Sequence, residues 1–431
     1  AVAYTSVVSF GDSLSDPGSY KVGPIAALGG GLFTVNGIAG AIGSDPVPSY
    51  TWAQLVSAAA TGKASCAAHT GGFGVARSAL IAGCTNYAQG GARVTNPLGT
   101  GNKGQTSGVF LAAMTEPVVA QVANYLTDLN NGGKFSGKEL VTVLAGANDI
   151  FAQTDKLKTD ATAAGASALA TSLVTQLVAG APLAYQVGAQ IAIGTAVQTA
   201  ATAPGATSAS IVTAALTAAV TDATTRSYTN TALADQGAAV TATAAAAATT
   251  AGNTYAATTG AAAAVAGMVT AATELAASIK GMVANGATHI AVSNLPDVSQ
   301  TPMAMAQDTS SRALILAMTT AFNNALKAGL AGTNGVLFIE TFDENKRQMA
   351  DPAHYALSNI TDTACNLNYG FNPLATNGVA NSGSSLACKA SNLIAGDTSH
   401  YAFADSVHPT PYLHKLLAQF ANKQLILAGW L

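Results

Sequence analysis

Residues 7–18, VVSFGDSLSDPG, carry the reading of the fold. Val7 to Phe10 form a short apolar run of strand type, and Gly11 turns the chain just before Ser13. A serine placed there stands at the carboxyl end of a strand, the edge at which open α/β sheets bind their ligands. Two roles suit that position. One is a nucleophile; the other is an N-cap, whose hydroxyl accepts hydrogen bonds from the first turn of a following helix.

Working outward, strand-like runs recur at residues 139–145 (ELVTVLA), 288–293 (THIAVS) and 335–339 (GVLFI), with helical patterns between them such as 116–129 and 311–330. Strands alternating with helices predict an α/β fold with a mostly parallel sheet. A chain of 431 residues is long for one such domain, so either an insertion or a second domain is expected. Composition marks where it lies. From Ala161 to Thr221 there is no Asp, Glu, Lys or Arg, and alanine and threonine dominate to about residue 275. The expected division is 1–159 with 276–431 as the α/β domain, and 160–275 as a helical Ala/Thr-rich insertion broken near Pro204-Gly205. Residues 177–195 come nearest to a membrane span, but Pro182, two glutamines and several glycines interrupt them. A helical hairpin packed on itself or on the α/β domain is the expected form. Low charge with appreciable hydrophobicity argues against disorder.

Charged residues make up 9% of the chain and the formal net charge is -3. Without a basic stripe, an electrostatic partnership with nucleic acid is excluded as an expectation. The chain starts at Ala1 and carries neither a basic n-region nor an apolar h-region there, as expected of a secreted or periplasmic bacterial protein whose signal peptide has been removed. The four cysteines agree. Cys66 with Cys84 and Cys365 with Cys388 is the simplest of three connectivities, each bridge worth ~3 kcal/mol by loop closure. No C-x-x-C motif is present, so zinc or redox sites are the weaker alternative, and free buried cysteines of a cytosolic protein remain the other.

A serine becomes a useful nucleophile only when a base takes its proton, and a histidine base needs a carboxylate to fix its tautomer. In ADSVHPT (404–410) Asp405 precedes His408 by three residues, a spacing that can set the carboxylate against one ring nitrogen. Acyl transfer also needs donors for a developing oxyanion. NYAQGGARV (86–94) offers the Gly91 N–H on a close-approaching glycine pair, and LAGANDIF (144–151) offers the Asn148 amide after a strand. An ordinary glycine turn and an Asn N-cap also satisfy these two stretches. Asp12 and Asp16 are assigned to turn and cap structure. His69, His289, His354, His400 and His414 are read as structural or surface residues.

Taken together, FGDSLSD, NYAQGGARV, GAND and DSVHP resemble, in order, the four sequence blocks of the GDSL lipases and esterases, or SGNH hydrolases. HIAVSNLPDVSQTP (289–302) further resembles the secreted bacterial esterases of that family. The resemblance covers about residues 4–155 and 275–430; the Ala/Thr-rich middle departs from the family pattern. It implies a flavodoxin-like three-layer α/β/α sandwich, with Ser13 as nucleophile, His408 as base and Asp405 as its orienter. It also implies Ser13 N–H, Gly91 N–H and Asn148 as the oxyanion hole. The expected activity is hydrolysis of a small-molecule or lipid acyl ester through an acyl-serine intermediate, with no cofactor and no metal. Acyl transfer by the same residues, or a secreted adhesion or envelope module, are the alternatives. Binding of acyl chains, or peripheral contact with a lipid surface, is one expected role of residues 160–275; the alternative is a remote structural hairpin or self-association surface.

Overall fold

The computed structural model describes residues 2–106, 109–129, 132–221 and 230–431. The chain divides into two compact units, Ala1–Gln153 with Val265–Leu431, and Thr154–Ala264.

Unit 1 is a mixed α/β structure. Its central sheet is formed by β1 (Ser6–Gly11), β2 (Glu139–Leu144), β3 (His289–Ser293) and β4 (Val336–Ile339), adjacent in that order and all parallel. The register sets Phe10 against Val143, Val143 against Val292, and Val292 against Phe338. Every residue of β2 is buried, which is why ELVTVL reads as an unbroken run rather than as alternation. A second small parallel pair joins β5 (Asn359–Thr363) to β6 (Tyr401–Phe403).

In unit 1, α1 (Trp52–Thr61) and α2 (Val118–Asp128) lie between β1 and β2, and the start of α3 (Ala147–Ala179) follows β2. Later in the chain, α8 (Thr309–Leu330) lies between β3 and β4, α9 (Thr341–Ala350) follows β4, and α10 (Pro411–Leu427) follows β6. Their starts follow local chemistry. Thr51 and Gln54 form a capping box on α1, the Asp308 carboxylate accepts from the Ser311 N–H on α8, and Thr410 followed by Pro411 opens α10. Trp52, Tyr20, Phe10 and Phe322 are the largest wholly buried side chains. Two disulfides, Cys66–Cys84 and Cys365–Cys388, tie the loops, and no cysteine is free. Bridges of this kind persist in oxidising surroundings, extracellular or periplasmic.

Unit 2 is helical. After the last turns of α3 come α4 (Gln186–Thr202), α5 (Ser208–Thr221) and α6 (Asn230–Tyr255), with a π-helical turn at Ala256–Gly260 before α7 (Ala261–Ala284) returns to unit 1. The unit is therefore a set of several helices, among which α4 and α5 pack against each other on either side of Pro204-Gly205. The break at Pro204-Gly205 separates α4 from α5, and residues 177–195 are broken at Gly180–Tyr185, so they form no continuous span. Two helical stretches, Ala147–Ala179 and Gln236–Ala284, have the length and apolarity to cross a membrane. Part of the Ala/Thr-rich stretch, residues 222–229, lies outside the described residues.

Candidate active site

β1 ends at Gly11, and the buried Gln121 of α2 grips that end with both halves of its amide. Its Oε1 accepts from the Gly11 N–H at 2.9 Å and its Nε2 donates to the Gly11 carbonyl at 2.8 Å. The chain then turns through Asp12, Ser13 and Leu14, and no helix begins there; the next one starts at Gly23. The N-cap alternative for Ser13 is therefore corrected, because its hydroxyl has no helix start to cap. Its partner is His408, whose Nε2 lies 2.8 Å from Ser13 Oγ.

His408 sits in the loop between β6 and α10. Asp405 in the same loop contacts its Nδ1 at 2.8 Å through Oδ2 and at 2.9 Å through Oδ1. Three backbone N–H groups, of Ser385, Val407 and His408, also donate to the Asp405 carboxylate at 2.7–3.0 Å. Burial alone raises the pKa of this carboxyl, but the neighbouring His408 charge and these donors outweigh it and hold Asp405 well below the usual carboxylate range. Asp405 is thus a fixed anion, with the imidazole Nδ1–H directed at it and Nε2 left for the serine. The loop is held from outside by Thr34, which donates to the Pro409 carbonyl, and by the Cys365–Cys388 bridge three residues beyond Ser385. Phe33 lies against the imidazole with ring centroids 5.0 Å apart.

The two expected oxyanion stretches meet each other. Gly146 ends the turn after β2 at φ +123°, where a Cβ would lie 2.5 Å from the Phe322 ring, so only glycine fits there. Asn148 follows in the first turn of α3. Its Nδ2 donates to the Ala92 carbonyl at 3.0 Å, which places it beside Gly91 rather than at a helix cap. Gly91 has φ +80° and packs so closely that a Cβ would lie 2.1 Å from the Thr100 carbonyl oxygen. Asp149, the next residue on α3, clamps the same loop: it pairs with Arg93 at 3.0 Å and accepts from the Val94 N–H at 3.0 Å.

Asp16 reaches the other side of the glycine pair. Its carboxylate accepts from the N–H groups of Gly18, Ser19 and Gly90 and from the Ser19 hydroxyl at 2.6–2.9 Å, and Tyr20 donates to the Gly90 carbonyl at 2.6 Å. Asp12 keeps the turn by accepting from the Leu14 N–H at 3.0 Å, while its other oxygen is buried with no partner among the described residues. Burial pushes the Asp12 carboxyl up to about 7, against the Leu14 hydrogen bond and the His408 charge.

One cavity is lined by Ser13, Asn148 and His408 together; Gly91 is not part of its wall. Elsewhere, His69 bonds Asp128 at 2.8 Å, His400 contacts Asp45 at 3.2 Å, and His289 meets the rings of Tyr4 and Trp430. His414 is wholly buried and pushed down to about 3 by that burial, so it stays neutral. None of these four histidines reaches Ser13. Among the described residues no group of three or more His, Cys, Asp or Glu could hold a metal.

Sequence reasoning passed over Gln121, Tyr20, Phe33 and the Arg93–Asp149 pair. Only Gln121 left a signal: a polar residue on the apolar face that Val118, Val122 and Tyr125 define. No protein-family model matches the chain, and a search of curated proteins finds no match to it.

Proposed function

We propose that this chain is a serine esterase of the GDSL, or SGNH, type that hydrolyses acyl esters through a covalent acyl-serine intermediate. The observation that carries the reading is the unbroken relay from Ser13 Oγ to His408 Nε2 and from His408 Nδ1 to Asp405, at 2.8 Å in each step. In the first half-reaction His408 takes the Ser13 proton while Oγ bonds to the ester carbonyl carbon, and the negative charge moves to the carbonyl oxygen. The donors assigned to that oxygen are the N–H groups of Ser13 and Gly91 and the Asn148 amide. His408 then gives its proton to the leaving alcohol; in the second half-reaction it takes one from water as the water oxygen bonds to the acyl carbon, and it returns that proton to Ser13 Oγ as the acid departs.

The sheet supports the flavodoxin-like three-layer arrangement that this reading implies. On the side of β1 away from β2, Ser9 forms a single parallel bridge with Asn86. Counted as a strand reduced to one bridge, it gives the strand order 2-1-3-4-5. The two disulfides fit a secreted or periplasmic enzyme. In unit 2, Leu183, Val187 and Ile191 recur every four residues with 65–85% exposure, on a segment without charge, and we assign them peripheral contact with a lipid surface.

A fluorophosphonate is the direct test, because it mimics the tetrahedral intermediate at an activated serine. Covalent labelling of Ser13 with loss of hydrolysis of p-nitrophenyl butyrate is the expected result. Labelling at another residue, or full esterase activity in Ser13→Ala, would overturn the reading.

A further inference from the structure

The cavity beside Ser13 has a wall of two kinds. Leu14, Phe151, Pro296, Val298, Leu413 and Leu417 present hydrocarbon. Four of the polar groups between them are engaged with neighbouring side chains or backbone, while one oxygen of Asp12, also on the wall, is buried with no partner among the described residues. Asp297 accepts from the Ser299 N–H and hydroxyl, Thr301 donates to the Val298 carbonyl, the Thr341 hydroxyl pairs with that of Ser293, and Asn345 accepts from the Asp297 N–H. A guest therefore meets a largely apolar surface, with Ser13, His408, Asp12, Asn148, Glu344 and Gln348 as its remaining polar lining.

Size limits that guest. The cavity has a volume of about 70 Å³. A cavity of roughly 10–15 Å³ already holds one water, so this one admits a short hydrocarbon chain and not a long one. A methylene is close to a water in size, and the ester carbon with its oxygens takes part of the space.

We propose that this cavity is an acyl pocket and that it selects esters of short fatty acids, with acyl groups of about four to six carbons. The proposal rests on the esterase reading above. Within the pocket each added methylene leaves water for hydrocarbon and raises kcat/KM by about fourfold. Beyond it the chain extends past the wall, and the gain ends. Leu413 and Leu417, one turn apart on α10, set the limit from that side.

A series of p-nitrophenyl esters from acetate to dodecanoate, each kept below its micellar concentration, tests this on the full chain. The expected profile rises from acetate to butyrate or hexanoate and then levels or falls. A rise that continues through dodecanoate overturns the pocket assignment while leaving the esterase reading intact; hydrolysis of none of the esters overturns that reading and the assignment with it. The paired variants Leu417→Ala and Leu413→Ala are read by the ratio of octanoate to butyrate within each protein, so the amount of folded enzyme cancels. Truncation should raise that ratio at least fivefold in one or both. An unchanged ratio in both variants shows that the acyl chain lies elsewhere.

Discussion

Unit 1 buries Trp52, Tyr20, Phe10 and Phe322 completely, whereas the core of unit 2 is built from Leu169, Leu173, Leu177, Ile193, Val197 and Ile211 interleaved with alanines, with no aromatic side chain among the described residues. Large rings interlock and leave few alternative packings, so they can hold side chains such as Ser13, His408 and Asn148 to the tolerance that chemistry demands. Alanines bury little area apiece, and their helices gain mainly by approaching closely. The contrast separates two jobs. Unit 1 fixes a reactive geometry; unit 2 supplies an extended helical surface with little charge.

The sharpest way to break that separation is at the nucleophile. Ser13→Ala should lower kcat by roughly 10⁴–10⁶-fold and leave the thermal midpoint nearly unchanged, because the hydroxyl donates to Nε2 of the His408 ring and packs into no part of the core. A large fall in the midpoint would mean that Ser13 is structural.

Asp12 tests whether the rigid unit stores a cost beside its nucleophile. Its carboxyl has an ordinary value of 3.8 and is raised to about 7 in the fold. Below 3.8 both the folded and the unfolded chain hold the proton; as pH climbs from 3.8 toward about 7 only the folded chain does, so stability is lost across that window and stays lost above it. About three pH units correspond to roughly 4 kcal/mol. Asp12→Asn is neutral at every pH and keeps an acceptor for the Leu14 N–H. Relative to the parent it should therefore gain stability, by a few kcal/mol, between urea titrations at pH 4 and at pH 8. An equal difference at both pH values would show that the Asp12 carboxyl is hydrated.

Asn148→Ala should cost roughly 100–1,000-fold in kcat with little change in KM, as loss of one oxyanion donor does. The lost bond to the Ala92 carbonyl should cost only about 1 kcal/mol of stability. Unchanged kcat in the variant would remove Asn148 from the chemistry and leave it a tie between α3 and the glycine loop.

These side chains also mark how far the sequence was legible. The four sheet strands and helices α2 and α8 stand within two residues of the runs read from the periodicity, because buried parallel strands and amphipathic helices write their period directly into the chain. Ser13, Asp405 and His408 were legible as candidates because their motifs are local. The grip of Gln121 on Gly11 spans 110 positions and the reach of Asp16 to Gly90 spans 74, and such contacts leave no local pattern. The cavity wall was illegible for the same reason. It combines the turn after β1, the start of α3, the loop after β3 and two later helices.

A smaller effect is expected at the Cys365–Cys388 bridge, which closes a separation of 23 residues around the loop whose Ser385 N–H holds Asp405. Replacing both cysteines by alanine should lower unfolding stability by about 3 kcal/mol. If the loop positions Asp405, kcat should fall as well. Reduced stability with full kcat would limit the bridge to holding the fold.

The smallest effects probe close approach in unit 2. Gly165 on α3 faces α6 so tightly that a Cβ would lie 2.9 Å from the Ala248 carbonyl oxygen, whereas a Cβ on Gly194 of α4 meets nothing within 4 Å. Glycine inside a helix costs about 0.5–1 kcal/mol relative to alanine, so Gly194→Ala should stabilise unit 2 by about that amount. At Gly165 the same propensity gain is opposed by a methyl group driven into backbone, an overpacking that costs roughly 1–3 kcal/mol. Gly165→Ala should therefore weaken unit 2. Hydrogen exchange on the amides of α3 and α6 reads the difference: protection should fall in Gly165→Ala and rise on α4 in Gly194→Ala. Hydrolysis of p-nitrophenyl butyrate should stay within about twofold in both, since neither change touches the buried ring packing that holds Ser13. Equal stabilisation by the two substitutions would mean that the helices of unit 2 have room to spare, and the contrast drawn between the units would lose its physical basis.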